Sequence, residues 1–164
     1  MQLADGADGH YLRAHVPVGD SAADWNERIS IAVEQGLARR KELTLQMVVA
    51  DFVAAYQGAC PDSFVVSKVP VGPVSGFEAY AAVASCGTMP ETRGRSSQSE
   101  VMLAIRGQDD VYAIRWAERG EPWSTPSGID VQHWQDKFRR LAPIRLCARQ
   151  VAISSHEAGC PAVP

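Results

Sequence analysis

Two of the four cysteines, Cys60 and Cys86, stand at the ends of a stretch that has the pattern of a β-hairpin. The stretch, ACPDSFVVSKVPVGPVSGFEAYAAVASCG, contains two apolar runs joined by the Pro/Gly-rich segment PVGPVSG. In an antiparallel hairpin, two opposed residues lie equally far along the chain from the centre of the turn. Cys60 and Cys86 are equally far from Pro73, which lies in the middle of the segment. They should therefore face each other across the open end of the hairpin, within reach of a disulfide.

Other interpretations of this pair need sequence features that are absent. The chain contains no Cys-x-x-Cys motif for redox exchange, and no histidine lies beside either cysteine at the spacing of a metal ligand. Two unconnected thiols in the core remain the alternative.

The remaining cysteines, Cys147 and Cys160, could form a second bridge that pins the C-terminal tail. Together with His156 they would instead supply three metal ligands, but a fourth ligand is missing and the spacing is not that of a zinc motif. We therefore expect a bridge and no metal site. Two bridges favour an oxidising compartment.

The residues that usually perform catalysis are scattered. The four histidines lie far apart, and neither Gly-x-Ser-x-Gly nor Ser-x-x-Lys occurs. The segment RGRSSQS lacks the spacing of a phosphate loop. Asp109 and Asp110 are neighbours, but they fall in a predicted tight turn, where acidic residues favour the turn itself. We predict no catalytic residues and no cofactor.

Alternating and helical apolar patterns predict nine elements in the order β-β-α-β-β-β-β-α-β. The predicted strands are 11–16, 28–34, 62–69, 77–86, two within the hairpin 100–120, and 144–148. The first helix has apolar residues at helical spacing from Leu43 to Tyr56, with Thr44 as N-cap and Gly58 just past its end. The last helix carries Val131, Trp134, Phe138 and Leu141 on one face, and Ser127 with Asp130 resembles a capping box at its start.

Consecutive strands with short connections imply an antiparallel sheet, and two amphipathic helices can cover it, so the fold class is α+β. We predict one domain at 11–148, a flexible lead-in at 1–10 and a tail at 149–164. The inward strand faces consist mostly of Ile, Val, Leu and Ala, which favours a filled core over a pocket.

Composition restricts the partners and the compartment. The net charge of −3 gives no reason to expect nucleic acid, and no apolar stretch approaches the roughly 18 residues of a membrane span. The start MQLADGADGH lacks the basic and apolar regions of a signal peptide. Because two bridges are predicted, we expect a periplasmic or secreted protein from which a leader was removed, with a cytoplasmic protein as the alternative.

The pattern of elements resembles the PsbP-like α/β/α sandwich, shared by bacterial envelope proteins such as DcrB. The resemblance rests on Pro17 and Trp25 in the opening hairpin, on the hairpin MLAIRGQDDVYAIRW, and on the closing helix with Phe138 near its end. It covers most of residues 11–148. The loop between Pro17 and Trp25 is longer than is usual in that family. The resemblance implies a non-catalytic binding, adaptor or chaperone-like role.

One surface is predicted to carry the function. The polar loop 87–99 has no apolar period, which predicts a mobile segment that the core does not need. Chain reversals should bring the linker EPWSTP to the same sheet edge, so that Arg93 and Arg95 lie near Trp123. Arginine and tryptophan are enriched at protein-binding hot spots.

We therefore expect a monomeric, non-catalytic domain that binds another protein in an adaptor, chaperone-like or immunity-type role. The alternative is a small-ligand carrier or a hydrolase with a pocket between the sheet and a helix.

Overall fold

The computed structural model describes residues 10–146. This part of the chain contains six strands and two α-helices: β1 (His10–His15), β2 (Glu27–Glu34), α1 (Leu45–Ala59), β3 (Phe64–Val69), β4 (Ala79–Cys86), β5 (Ser97–Arg106), β6 (Val111–Gly120) and α2 (Val131–Leu141). The strands form one antiparallel sheet in the order β1-β2-β6-β5-β4-β3. The predicted class, an antiparallel α+β sheet flanked by two helices, is confirmed.

The two helices lie on opposite faces of the sheet. Along β5, Met102 and Ala104 belong to the apolar layer under α1, whereas Leu103 and Ile105 belong to the layer that contains Trp134 of α2. This alternation follows from the two-residue period of a strand. Nearly every residue of β5 is therefore buried, which explains its long apolar run.

α1 begins at the predicted cap. The Thr44 hydroxyl accepts a 3.2 Å hydrogen bond from the backbone N–H of Met47, which satisfies one donor of the first turn. The prediction that Gly58 lies beyond the helix is wrong, because α1 continues through it to Ala59. The helix ends where Pro61 disfavours a helical conformation in the residue before it.

α2 begins differently from the prediction. Asp130 is itself the N-cap, and its carboxylate accepts a 3.1 Å hydrogen bond from the backbone N–H of His133. A capping box between Ser127 and Asp130 is therefore wrong, since Ser127 lies three residues before the cap.

β3 and β4 form the predicted hairpin in another register. Phe64 pairs with Cys86, so the hairpin centres on Ser75 rather than on Pro73. Ser75 and Gly76 have φ angles of 52° and 80°, the left-handed conformation that a tight two-residue turn requires. The turn, more than the spacing of the cysteines, sets the register.

The strand predicted at 144–148 is wrong for residues 144–146, which are not in a strand. The carbonyl of Ile144 instead accepts a 2.7 Å hydrogen bond from the Ser75 hydroxyl, so this segment lies on the β3–β4 turn. Residues 147 and 148 and the predicted tail 149–164 lie outside the described residues. His10, predicted to end the lead-in, is the first residue of β1.

Candidate functional site

The sheet face under α1 is only partly covered. The helix packs on β3, β4 and β5. On the next two strands, β2 and β6, the residues that face the helix side of the sheet include Ala32 and Ala113, which lie opposite each other. Because a methyl group cannot fill the space of a larger side chain, a cleft of about 530 Å³ remains between α1, segment 37–43 and the sheet. That volume lies within the range of small-molecule sites in proteins.

The cleft is apolar along most of its length and polar at one end. Apolar side chains come from the helix, the sheet and the 37–43 segment: Ala32, Leu37, Leu43, Val48, Phe52, Ala55, Met102, Val111 and Ala113. Tyr56, Glu100 and Arg115 form the polar end. Three further charged residues, Glu34, Arg40 and Asp51, belong to the more exposed rim.

Glu100 is the buried carboxylate of the cleft, with 3% of its surface exposed. The Tyr56 hydroxyl donates a 2.8 Å hydrogen bond to its Oε2, and a guanidinium nitrogen of Arg28 lies 3.6 Å from the same oxygen. The Gln98 amide donates to the Tyr56 oxygen at 2.6 Å. The ion pair and the hydrogen bond offset the cost of burying the carboxylate charge.

Tyr56 is fixed as a hydrogen-bond donor. Burial, followed by the negative charge of Glu100, raises the pKa of the Tyr56 hydroxyl far above its ordinary value. The hydroxyl therefore keeps its proton and donates a hydrogen bond to Glu100, which connects α1 to β5.

Trp25 covers the polar end of this sheet face. It lies in the β1–β2 loop with only 3% of its surface exposed, between the guanidinium groups of Arg28 and Arg119. The two guanidinium carbons lie 4.6 and 4.0 Å from its ring centre, within the range of cation–π contacts. Trp25 thereby holds two cations, of which Arg28 lies beside Glu100. In the sequence Trp25 contributes only to the family resemblance, and no local pattern predicts this contact.

Two arginines of the cleft, Arg40 at the exposed rim and Arg115 at the polar end, have no ion-pair partner in the described part of the chain, and Arg115 is the less exposed of the two. Its guanidinium carbon lies 5.4 Å from the ring centre of Phe52. Its Nε is buried and, within the same residues, has no hydrogen-bond partner. The carboxylate of Glu100 is already bound by Tyr56 and Arg28.

The expected filled core is wrong for this half of the α1 face. The sequence predicts an inward apolar face of β2 that consists of Ile29, Ile31 and Val33. In the structure this face is the one opposite α1, and Ile31 is 38% exposed there. The inward positions on β2 include Ala32, which leaves space. The one sequence feature associated with the site is a charge inside the apolar run YAIRWA, namely Arg115.

The structure joins Cys60 and Cys86 in the predicted disulfide, with Cα atoms 5.7 Å apart. The two residues are not opposed across a hairpin, because Cys60 directly follows α1 and Cys86 ends β4. The bridge thus ties the end of the helix to the sheet. A disulfide is compatible with a secreted protein. The bridge predicted between Cys147 and Cys160 lies outside the described residues.

Trp123 lies beside Gly87, the first residue of the 87–99 loop. Its backbone N–H donates a 2.9 Å hydrogen bond to the Gly87 carbonyl, and a Cβ atom on Gly87 would overlap its indole. Arg93 and Arg95 are exposed farther along the loop, and Arg95 Nε donates to the Thr92 carbonyl at 3.0 Å. Within residues 10–146, no hydrogen bond or cation–π contact joins either arginine to Trp123.

The prediction that the core does not need this loop is wrong. Met89 is 6% exposed and belongs to the apolar layer under α1. Its backbone N–H donates to the Ser96 carbonyl at 2.9 Å, and Gly94 donates to the Met89 carbonyl at the same distance. The loop is folded around one buried side chain, which a search for periodicity cannot detect.

An ion-pair cluster lies on the opposite face of the sheet. Lys137, 5% exposed on α2, approaches Glu27 Oε1 to 2.6 Å and also pairs with Glu118. Its ammonium lies 4.5 Å from the ring centre of Trp116, and His133 Nε2 lies 2.9 Å from Glu118 Oε2. Burial alone would raise the pKa of Glu118, but the hydrogen bonds and positive charges of Lys137 and His133 outweigh it and lower that pKa.

A second concavity, of about 510 Å³, lies between α2 and the β3–β4 connection. Its charged lining residue, Arg139, pairs with Asp136 on the same helix. Within the described residues, this surface therefore lacks a buried guanidinium N–H without a partner, which Arg115 supplies in the cleft.

Residues 10–146 contain no cluster of three or more His, Cys, Asp or Glu side chains that could hold a metal ion. Neither helix of this part is long and apolar enough to cross a bilayer.

Comparison with known proteins identifies no family. No family model matches the sequence, and no curated protein or solved structure matches it significantly. The PsbP-like resemblance therefore stays a prediction.

Proposed function

We propose that the protein is a non-catalytic binding protein of the periplasm or the extracellular space, and that the cleft between α1 and the sheet holds its ligand. The observation that carries this proposal is the cleft itself, with a volume of about 530 Å³, an apolar lining and three polar side chains converging at one end. Small-molecule sites typically combine these properties. The Cys60–Cys86 disulfide supports the compartment.

The chemistry of the lining supports binding over catalysis. Within the described residues, the cleft is lined by no serine, cysteine, histidine or lysine, and two of its three carboxylates, Glu34 and Asp51, belong to the more exposed rim. Glu100 is held by Tyr56 and Arg28, so its carboxylate is engaged in structure. The ligand is therefore held and released unchanged, as in a carrier.

The experiment uses N-phenylnaphthylamine, a neutral dye that fluoresces in apolar surroundings. Ala55 lines the cleft on the exposed side of α1, so Ala55→Trp should place an indole across the opening. We expect the variant to bind the dye at least about tenfold more weakly than the wild-type protein.

Ala54→Trp is the matched control. Ala54 is the preceding helical residue and is also exposed, but it does not line the cleft. Equal dye affinities of both variants, or no saturable dye binding by the wild-type protein, would reject the cleft as the ligand site.

A second candidate function is protein binding through Arg93, Arg95 and Trp123. The observation that favours it is the packing of Trp123 on Gly87, which holds a partly exposed indole in a fixed place. Rigid tryptophans and arginines are the residues most enriched at binding hot spots. This surface would suit the adaptor, chaperone-like or immunity-type role that the PsbP-like resemblance implies. We expect the free protein to be a monomer.

The test is to identify a partner by affinity capture and to measure its binding to Arg93→Ala, Arg95→Ala and Trp123→Ala. A loss of about tenfold or more with the fold intact would support the surface. Arg39→Ala is the control, since Arg39 is exposed and pairs with Asp109 away from the loop. Unchanged affinity in all three variants would reject this candidate.

A further inference from the structure

We propose that the ligand of the cleft is a small amphipathic carboxylate, whose carboxylate is bound by Arg115 and whose apolar body lies on Ala113 and Val111. This inference rests on the proposed function and specifies the class of ligand.

Arg115 has unmet hydrogen-bonding capacity. Within the described residues its Nε is buried without a partner, and the guanidinium forms no ion pair. A buried N–H donor without a partner is costly, whereas a planar guanidinium binds a carboxylate through two parallel hydrogen bonds. A ligand carboxylate would supply both acceptors.

The three arginines near the polar end differ in their partners. Arg28 lies beside the buried carboxylate of Glu100, and Arg119 donates to the Ala23 carbonyl and the Gln98 amide oxygen. Of the three, Arg115 is the one whose buried Nε has no partner among the described residues. The other carboxylates of the lining, Glu34 and Asp51, belong to the more exposed rim. An anionic group is therefore favoured beside Arg115, and a cationic one is disfavoured.

The apolar part of the cleft is elongated. Arg115, Ala113 and Val111 follow one another at every second position of β6, so all three face the cleft. The four residue steps from Val111 to Arg115 span roughly 13 Å, so an apolar path runs from the guanidinium to the far end of the cleft. Leu37 and Leu43 border the same path. A ligand with one anionic end and a short aliphatic or aromatic body fits this arrangement.

The experiment compares octanoate with octanol as competitors of N-phenylnaphthylamine at neutral pH. The two molecules have the same chain length and differ in the charged end. Apolar burial alone favours the uncharged alcohol. We nevertheless expect octanoate to displace the dye at a concentration about tenfold lower, because charge-assisted hydrogen bonds to Arg115 add to its affinity.

Arg115→Gln should abolish the preference for octanoate over octanol. The matched control is Arg13→Gln: the Arg13 Nε is also buried without a partner in the described residues, but it lies on the opposite face of the sheet. This control should keep the preference.

The outcomes separate the two proposals. Equal competition by octanoate and octanol, or a preference that survives in Arg115→Gln, overturns the carboxylate inference while the cleft remains a binding site. If the dye itself does not bind, the proposed function fails, and the carboxylate inference, which rests on it, fails with it.

Discussion

The hydroxyl of Tyr56, on α1, donates a 2.8 Å hydrogen bond to the buried carboxylate of Glu100, on β5. The two residues are 44 positions apart in the chain, and their contact fixes the distance between the helix and the sheet at the polar end of the cleft. Gln98 completes the cluster by donating to the Tyr56 oxygen at 2.6 Å.

Tyr56→Phe should lower the free energy of unfolding by about 1–3 kcal/mol, because Glu100 loses a donor and Gln98 loses its acceptor in a buried place. Urea denaturation measures this change. Tyr80→Phe, at a half-buried position on β4, is the control and should change stability less. An equal effect of the two substitutions would contradict the importance of the Tyr56–Glu100 contact.

Loss of the Cys60–Cys86 bridge should destabilise the protein by roughly 3 kcal/mol, since the bridge restricts the unfolded chain. The double substitution Cys60→Ala with Cys86→Ala is compared with the oxidised wild-type protein in urea denaturation. Peptide mapping without reductant establishes the linkage. Free thiols at both positions in protein isolated from its natural compartment would contradict both the bridge and the proposed localisation.

Gly87→Ala should destabilise the protein by about 1–3 kcal/mol, because the added methyl group overlaps the Trp123 indole and backbone oxygen. Thermal denaturation measures the loss, and the change in Trp123 surroundings should alter tryptophan fluorescence. Gly128→Ala is the control, as a Cβ there meets no atom within 4 Å. If the two variants are equally stable, Trp123 does not pack on Gly87 in solution.

Glu118 should make stability depend on pH. Its pKa is lowered in the folded protein, so the ionised form stabilises the fold above the ordinary value of 4.5, and this stabilisation is lost as the pH falls through the lower folded value. Glu118→Gln should therefore cost stability at neutral pH and weaken the decline in acid. Glu121→Gln, at an exposed position beyond β6, should reproduce neither change. Urea denaturation over a series of pH values is the measurement.

Local chemistry predicted much of the fold. Thr44 caps α1, the turn after Arg106 forms between two apolar strands, and Trp134 is buried as its spacing predicts. The pairing of the two described cysteines was also predicted. Each of these features depends mainly on residues that are near in sequence or on a repeating apolar pattern.

The cleft depends on tertiary placement and could not be predicted in this way. Its floor exists because α1 covers β3, β4 and β5 while Ala32 and Ala113 lie side by side on strands far apart in sequence. Met89 was missed because a single buried side chain in a polar loop produces no period. Arg115 stood out only as a charge in an apolar run, which alone does not indicate a site.

The measurement that tests the cleft most directly is a nitrogen–proton NMR titration with octanoate. The Nε–H of Arg115, which has no partner among the described residues, should shift, together with the backbone signals of Ala32 and Ala113. The Arg13 Nε–H, on the other face, should stay in place. If none of these cleft signals moves, or if the shifts cluster around Trp123 and the 87–99 loop instead, the cleft is not the ligand-binding site.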